Sequence, residues 1–337
     1  MRISVDAMGG DYAPLEIVAG ALDAARSLTG LEKLYLVGDE NSIEAELNKL
    51  TTDRPSCIEI VHASEVVDMG EAPAVAIRRK KDSSISRAIE LVKEGKADAI
   101  FSAGNTGAAV AAATLKLRTL QGVSRPAIAT VMPTTTDHPY VLLDAGANPD
   151  SSPEMLQQFA IMGSIYCREI LGVSAPRVGL LSIGEEEAKG NEMTKKSFTL
   201  LGLAPLDFIG NVESRDLFEG RVDVAVCDGF VGNVVLKTTE AVASMISSWM
   251  KGLFRVNPLR IIGYYLSRGV FKDMRKKADP SSYGGAPLLG ANGVVIIGHG
   301  SSNRIAAFNG IRVACEAVDH KLNHLIEAEL ARISSDG

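Results

Sequence analysis

Ala99-Ile100-Phe101-Ser102-Ala103-Gly104-Asn105-Thr106-Gly107 is the stretch that decides how this chain folds. A short apolar run reads as a buried strand. A small-residue turn follows, and then an Ala-rich helix over 105–117 that can lie close against a sheet. The same form recurs at Val141-Leu142-Leu143-Asp144-Ala145-Gly146-Ala147-Asn148, at Val178-Gly179-Leu180-Leu181-Ser182-Ile183-Gly184, at Val224-Ala225-Val226-Cys227-Asp228-Gly229 and at Val294-Val295-Ile296-Ile297-Gly298-His299-Gly300. In a parallel sheet such turns share one edge, where open α/β folds bind their ligands. Glycine lets backbone N–H groups come close to a ligand, and the next helix points its positive end at the same spot. An anion site is the first inference.

Outward from that stretch, strand and helix patterns alternate almost throughout. Strands are predicted over 2–6, 33–37, 57–61, 127–132, 140–144 and 222–228. Helices are predicted over 14–27, 43–50, 84–94, 153–171, 192–201 and, as one long closing helix, 303–332. This is one doubly wound α/β unit over 1–337, with room for two lobes around a cleft. Hydrophobic residues make up 46% and aromatics only 5%. That profile suits Val, Ile and Leu strands under helices and argues against an all-β sandwich. A net charge of -6 argues against a general nucleic-acid binder. With no signal-like start and no long apolar span, a cytoplasmic protein is expected. Cys57, Cys167, Cys227 and Cys315 show no metal-ligand spacing and read as small hydrophobes, so no metal is expected.

One segment departs from the pattern. Over 249–278 stand eight basic residues, Lys251, Arg255, Arg260, Arg268, Lys272, Arg275, Lys276 and Lys277, against the single acid Asp273. It reads as the far part of a helical hairpin arm over 231–278, with helices over 231–254 and 259–276 reversing at Asn257-Pro258. Leu259, Ile261, Ile262, Tyr264 and Tyr265 crowd its tip among the charges. The plain account is a dimer arm. The sharper one is a surface that meets an anionic membrane or an acidic partner through these residues with Arg255, Arg260, Arg268 and Lys272.

Candidate chemistry sits in the turns. Gly104, Asn105, Thr106 and Gly107 open a helix and form a phosphate cradle, or else an ordinary capped start. Gly298-His299-Gly300-Ser301-Ser302-Asn303 is half a dinucleotide fingerprint with Asn303 in place of the last glycine. It suits an oxyanion turn with Ser301, Ser302 and Asn303 as donors better than a nucleotide site. Asp6, Asp144 and Asp228 each end a strand, and three acids at one sheet edge can hold a metal, orient cationic groups or simply cap helices; without clustered His partners the metal is not expected. Lys189, in an acidic turn with Asn191, offers a cation for a phosphate or oxyanion. Asn148 and Asn233 complete the donor set. No Walker A sequence is present.

Taken as a set, Val5-Asp6-Ala7-Met8-Gly9-Gly10-Asp11-Tyr12-Ala13-Pro14, Ser102-Ala103-Gly104-Asn105-Thr106-Gly107-Ala108, Leu143-Asp144-Ala145-Gly146-Ala147-Asn148, Gly184-Glu185-Glu186 with Lys189-Gly190-Asn191-Glu192, Cys227-Asp228-Gly229-Phe230-Val231-Gly232-Asn233 and Tyr283-Gly284-Gly285-Ala286-Pro287-Leu288-Leu289-Gly290 resemble the bacterial phosphate acyltransferases that begin phospholipid synthesis. The resemblance runs in order over essentially the whole chain. It implies transfer of a fatty acyl group from acyl-[acyl-carrier-protein] to inorganic phosphate, giving acyl phosphate and free carrier. It also implies an α/β/α sandwich of the phosphotransacetylase and isocitrate-dehydrogenase type, usually a homodimer, with no cofactor. The protein would lie peripherally on the inner face of the cell membrane and hand acyl phosphate to a membrane glycerol-3-phosphate acyltransferase, and the strongly acidic carrier competes with the membrane for the basic arm over 249–278.

On that reading Asn105, Thr106 and Gly107 cradle phosphate, with Asn148, Asn191, Asn233, Ser301 and Asn303 as further donors. Lys189 neutralises charge, Asp144 and Asp228 orient donors or take a proton, and His299 protonates the leaving thiolate. The rivals are a short-chain phosphotransacetylase using coenzyme A, a decarboxylating dehydrogenase of the same fold, and a non-catalytic scaffold on the membrane surface.

Overall fold

The computed structural model describes residues 1–136, 138–278 and 284–335. Eleven strands among them form one sheet: β1 (Arg2–Asp6), β2 (Lys33–Gly38), β3 (Ile58–His62), β4 (Ala99–Ser102), β5 (Ala127–Met132), β6 (Tyr140–Leu143), β7 (Arg177–Leu181), β8 (Asp207–Val212), β9 (Val224–Val226), β10 (Ala286–Leu289) and β11 (Val294–Ile297). Their order across the sheet is β3-β2-β1-β4-β11-β10-β5-β6-β9-β7-β8. The helices are α1 (Leu15–Ser27), α2 (Glu40–Leu50), α3 (Pro73–Arg79), α4 (Ser84–Lys93), α5 (Thr106–Ala112), α6 (Pro153–Leu171), α7 (Glu192–Leu203), α8 (Ser214–Glu219), α9 (Gly229–Phe254), α10 (Pro258–Leu266), α11 (Arg268–Ala278), α12 (Arg304–Asp319) and α13 (Leu322–Ser335).

Because both faces of the sheet are covered at its centre, β4, β6 and β9 are buried along their length, while the edge strands β3 and β8 keep exposed residues such as Glu59 and Asp207. Alternate residues still face opposite cores. In β1, Ile3 and Val5 join the cluster of Ile17, Leu22 and Ile311, whereas Ser4 turns the other way and donates to the Ala88 carbonyl of α4 at 2.9 Å. In β6, Val141 and Leu143 meet Phe159 and Ile165 of α6, while Tyr140 and Leu142 meet Leu217 of α8. Burying each such large side chain contributes about 1.5–3 kcal/mol. Close helix crossings need small residues. A Cβ on Gly20 would lie 2.6 Å from the Ala307 Cβ, so α1 and α12 touch through their backbones.

The expectation of a parallel sheet with every turn on one edge needs correction. β10 is antiparallel to β11 and to β5, and β5 is antiparallel to β6. β4 and β11 therefore run one way, while β6, β9 and β7 run the other. β5 bridges the two halves: Ala127 and Ile128 pair with Leu289 and Leu288, and Ala129–Met132 pair with the residues of β6. The offset lets the C-terminal ends of the two halves face each other across β5.

The closing helix is two helices, α12 and α13, parted where Lys321 takes φ 52°. The arm holds three helices rather than two, because α10 stops at Ser267 before α11 begins. α9 buries only Gly229 and Gly232, and its residues from Ala241 to Trp249 are all exposed.

Candidate active site

Between the facing strand ends lies a cavity of about 490 Å³. The β4, β11 half gives it Thr106 and the loop from Gly298 to Asn303. The other half gives Ala145 and one face of α9 with Asn233, Leu236, Lys237 and Glu240. Ile128, Val131 and Ile297 supply an apolar wall. Loops distant in sequence thus meet at one place, and Asn233 itself packs against Gly146, whose missing Cβ would sit 3.5 Å from the Asn233 Cβ.

The turn residues divide by what they touch. Asn105 is buried and faces inward. Its Oδ1 accepts the Ala108 N–H at 3.0 Å, and its Nδ2 donates to the carbonyls of Asp68, Met69 and Glu71 at 3.3, 2.9 and 3.3 Å. Gly104 packs on Gly9 and Gly107 on Pro73, where a Cβ would lie 2.5 Å from the proline Cγ. Of the four predicted cradle residues, Thr106 is the one that lines the cavity.

Asp144 is fully buried and gathers its own loop. Its Oδ1 accepts N–H bonds from Ile128, Gly146 and Ala147 at 3.0, 3.1 and 3.0 Å. Its Oδ2 accepts the backbone N–H and the side-chain amide of Asn148 at 2.7 and 2.9 Å. Burial pushes this carboxyl up, and the hydrogen bonds from Ala147, Asn148 and Ile128 pull against it. Asn148 Nδ2 also reaches the Pro126 carbonyl at 2.8 Å. Asp228 caps α9 through the Val231 N–H at 2.8 Å. The helix start fits against Asp144 because Gly232 has no side chain: a Cβ there would sit 1.9 Å from the Asp144 carbonyl oxygen. Asp144, Asn148 and Asp228 thus shape the wall, and none of the three lines the cavity.

Inside the cavity His299, Ser301 and Lys237 are linked. His299 Nδ1 lies 2.8 Å from Ser301 Oγ and 3.2 Å from the Ser301 N–H, and its Nε2 lies 3.4 Å from Lys237 Nζ. Lys237 also meets Glu240 at 2.9 Å. Ser302 donates to the His299 carbonyl at 2.6 Å and fixes the turn, while Asn303 caps α12 through Ala306 at 2.9 Å. The positive end of α12 therefore adjoins the cavity.

Lys189 and Asn191 lie on the turn after β7, on the same edge as the turns after β6 and β9. Asn191 caps α7 at Thr194, 2.9 Å away, and neither residue lines this cavity. Lys237 is the cation among the described lining residues, and the sequence reading missed it. The signal was available: Lys237 stands four residues after Asn233, on the same helical face.

At the arm, Phe254, Tyr264 and Phe271 hold the helices together, with ring centroids 5.2–5.4 Å apart. Leu259, Ile261, Ile262 and Tyr265 are exposed, and Tyr264 is half-buried. Arg255, Arg260, Arg268 and Lys272 meet no acid among the described residues.

The family described as Fatty acid synthesis protein matches residues 1–325. The phosphate acyltransferase of Desulfitobacterium hafniense (strain DCB-2) is 52% identical over 337 residues, covering 99% of this chain and 99% of the relative. That of Pelotomaculum thermopropionicum is 50% identical, covering 100% of this chain and 97% of the relative. The chain belongs to the phosphate acyltransferase family. This phosphate acyltransferase chain also shares its fold with a phosphotransacetylase from Streptococcus pyogenes, at TM-score 0.59 and 20% identity over 95% of this chain and 94% of the other. A branched-chain phosphotransacylase from Enterococcus faecalis V583 gives TM-score 0.59 and 16% identity over 95% of this chain and 100% of the other. The α/β/α class expected from the sequence is the one found.

Proposed function

We infer that this chain moves a fatty acyl group from acyl-[acyl-carrier-protein] to inorganic phosphate, for use in phospholipid synthesis. A phosphate oxygen attacks the thioester carbonyl carbon. The C–O bond forms as the carbonyl becomes an oxyanion, and collapse breaks the C–S bond, releasing the carrier thiolate, which takes up a proton. Phosphate is already anionic at neutral pH and its oxygens are nucleophilic as they stand, so it needs placing more than activating. No Ser-His or Cys-His nucleophile pair is required.

The observation that carries the reading is the cavity wall of Thr106, Asn233, Lys237 and Ser301 beside the α12 N-terminus. Lys237 pairs with the phosphate or oxyanion charge, Asn233 and Ser301 donate hydrogen bonds to it, and His299 positions Ser301. Losing one such charge-stabilising donor costs about 3 kcal/mol, or roughly a hundredfold in rate.

The exposed apolar residues of α9 fit a second copy of the chain. The basic tip fits the inner face of an anionic membrane, where each Lys or Arg adds about 1 kcal/mol. No described helix is long and apolar enough to cross a membrane, so contact would be peripheral. There the product is handed to a membrane glycerol-3-phosphate acyltransferase. Reversing Arg260, Arg268 and Lys272 to Glu should abolish sedimentation with anionic vesicles, and unchanged sedimentation overturns the membrane contact.

Incubation with acyl carrier thioester and labelled phosphate should yield acyl phosphate, and Lys237→Met should lower kcat/KM about a hundredfold. No product from the carrier substrate, or equal use of acetyl-coenzyme A, rejects the reading.

A further inference from the structure

We propose that the acyl carrier docks on the C-terminal turn of α3, where Arg78, Arg79 and Lys81 form a basic patch near the cavity. The proposal rests on the acyl-carrier reading above and adds to it the place of docking. Arg78-Arg79-Lys80-Lys81 is the longest run of consecutive cations in the chain. Its members are not equivalent. Lys80 is drawn inward, pairing with Glu71 and donating to the Val66 carbonyl at 2.7 Å. Arg78, Arg79 and Lys81 are exposed and meet no acid among the described residues. Asp82, the next acid along, is matched by Arg87 at 2.6 Å, and the Ser64 hydrogen bonds first, then Arg87, hold its carboxyl down at about 2. Val75 and Met69 lie half-exposed, at 48% and 49%, on the same segment. Unpaired cations with a few exposed apolar side chains suit an acidic protein partner.

Position favours this patch over the arm. Asn105 holds the carbonyls of Asp68, Met69 and Glu71, and Pro73 abuts Gly107, so α3 is fixed to the head of α5. Thr106, between those two contacts, lines the cavity. α3 spans about 10 Å, which keeps its basic end close to the rim. Along α9, the path from Lys237 to Phe254 covers about 25 Å before the arm even turns. A carrier that must place its thioester beside Lys237 has the shorter reach from α3. The whole chain carries net charge -6 even with both basic surfaces counted, so an acidic partner is repelled over most of the rest. The two basic surfaces thus divide the work: α3 receives the carrier and the arm meets the bilayer.

The experiment is steady-state turnover of acyl carrier thioester by a variant combining Arg78→Glu, Arg79→Glu and Lys81→Glu. KM for the carrier should rise about tenfold or more, with kcat at saturation within about twofold. The fall of kcat/KM with added salt, steep for the unaltered protein, should flatten in the variant. The pair Lys195→Glu and Lys196→Glu, exposed on α7, should leave KM unchanged. Where the Glu variant melts below the unaltered protein, Arg78→Gln, Arg79→Gln and Lys81→Gln decides, again by a raised KM. A carrier KM and salt dependence equal to those of the unaltered protein overturn the docking site. Absence of acyl phosphate from the unaltered protein overturns the acyl-carrier reading instead, so the two failures are distinct.

Discussion

Among the described residues, Asp6 and Asp144 are the two buried carboxylates at the C-terminal ends of strands, one in each half of the sheet, and they live in different surroundings. Asp144 fills both oxygens with five N–H bonds. Asp6 accepts the Ser102 hydroxyl at 2.7 Å on Oδ2, but its Oδ1 is buried without a partner. Burial pushes both carboxyls up. The difference teaches that similar turns of Asp, Gly and Asn are built in two ways. In one, a carboxylate is the knot that ties the loop. In the other, Gly9 and Gly104 pack on each other, and the carboxyl lies against both while leaning mainly on serine hydroxyls.

The largest effect should come from Asp144→Asn, which turns an NH2 toward backbone N–H groups and leaves buried donors unpaired. A loss of about 3 kcal/mol or more in urea unfolding is expected. A loss below about 1 kcal/mol would break the contrast. Next, Asn105→Ala removes the α5 cap and the donor to three carbonyls, and should cost about 2 kcal/mol by the same measurement.

Asp6→Asn should cost less than about 1 kcal/mol, and its cost should depend on pH. With its folded pKa raised, the native state keeps the Asp6 proton where the unfolded chain has lost it. The carboxyl's contribution is thus best at low pH and is lost as pH rises from about 4 upward. The penalty of Asp6→Asn should therefore be larger at about pH 5 than at about pH 8; the opposite slope would refute it.

Smallest in energy but sharpest in place is thiol labelling. Cys57 should react in the native protein, while Cys167 and Cys315, pushed by burial to about 12 and about 11, should not. Cys227 is likewise pushed well above the usual thiol range by burial and has its Sγ 3.8 Å from the Asp144 carbonyl oxygen. It should become reactive in the Asp144→Asn variant and stay protected in Asp6→Asn.

Much of the fold was legible because it rests on local pattern. The strand over 127–132 and the helix over 153–171 end where they were read, the latter set by Ser152 and Pro153 at one end and Gly172 at the other. The directions of the two half-sheets were not legible, because no residue in β5 reveals which neighbour each part of it will pair with. β10 was missed as four residues with a proline, and α3 as seven residues opening on a proline. At the site, residue type pointed to the right turns but not to the side chains that face inward. Asn105, Asn148 and Asn233 look alike in sequence. Only packing decides that the first two hold backbone and the third faces the cavity. Lys237 was hidden because it sits inside a helix, away from any glycine turn.

The first and last segments of the chain share one core. β11 lies between β4 and β10, and Ala307 and Ile311 of α12 pack with Ile3, Ile17 and Phe101. During synthesis the opening third of the polypeptide leaves the ribosome before the pieces that complete its hydrophobic interior exist. That portion must wait, partly uncovered, until nearly the whole chain has emerged. A nascent chain stalled before Val294 should be a ready client for chaperones, whereas one stalled past Asp319 can close its first lobe.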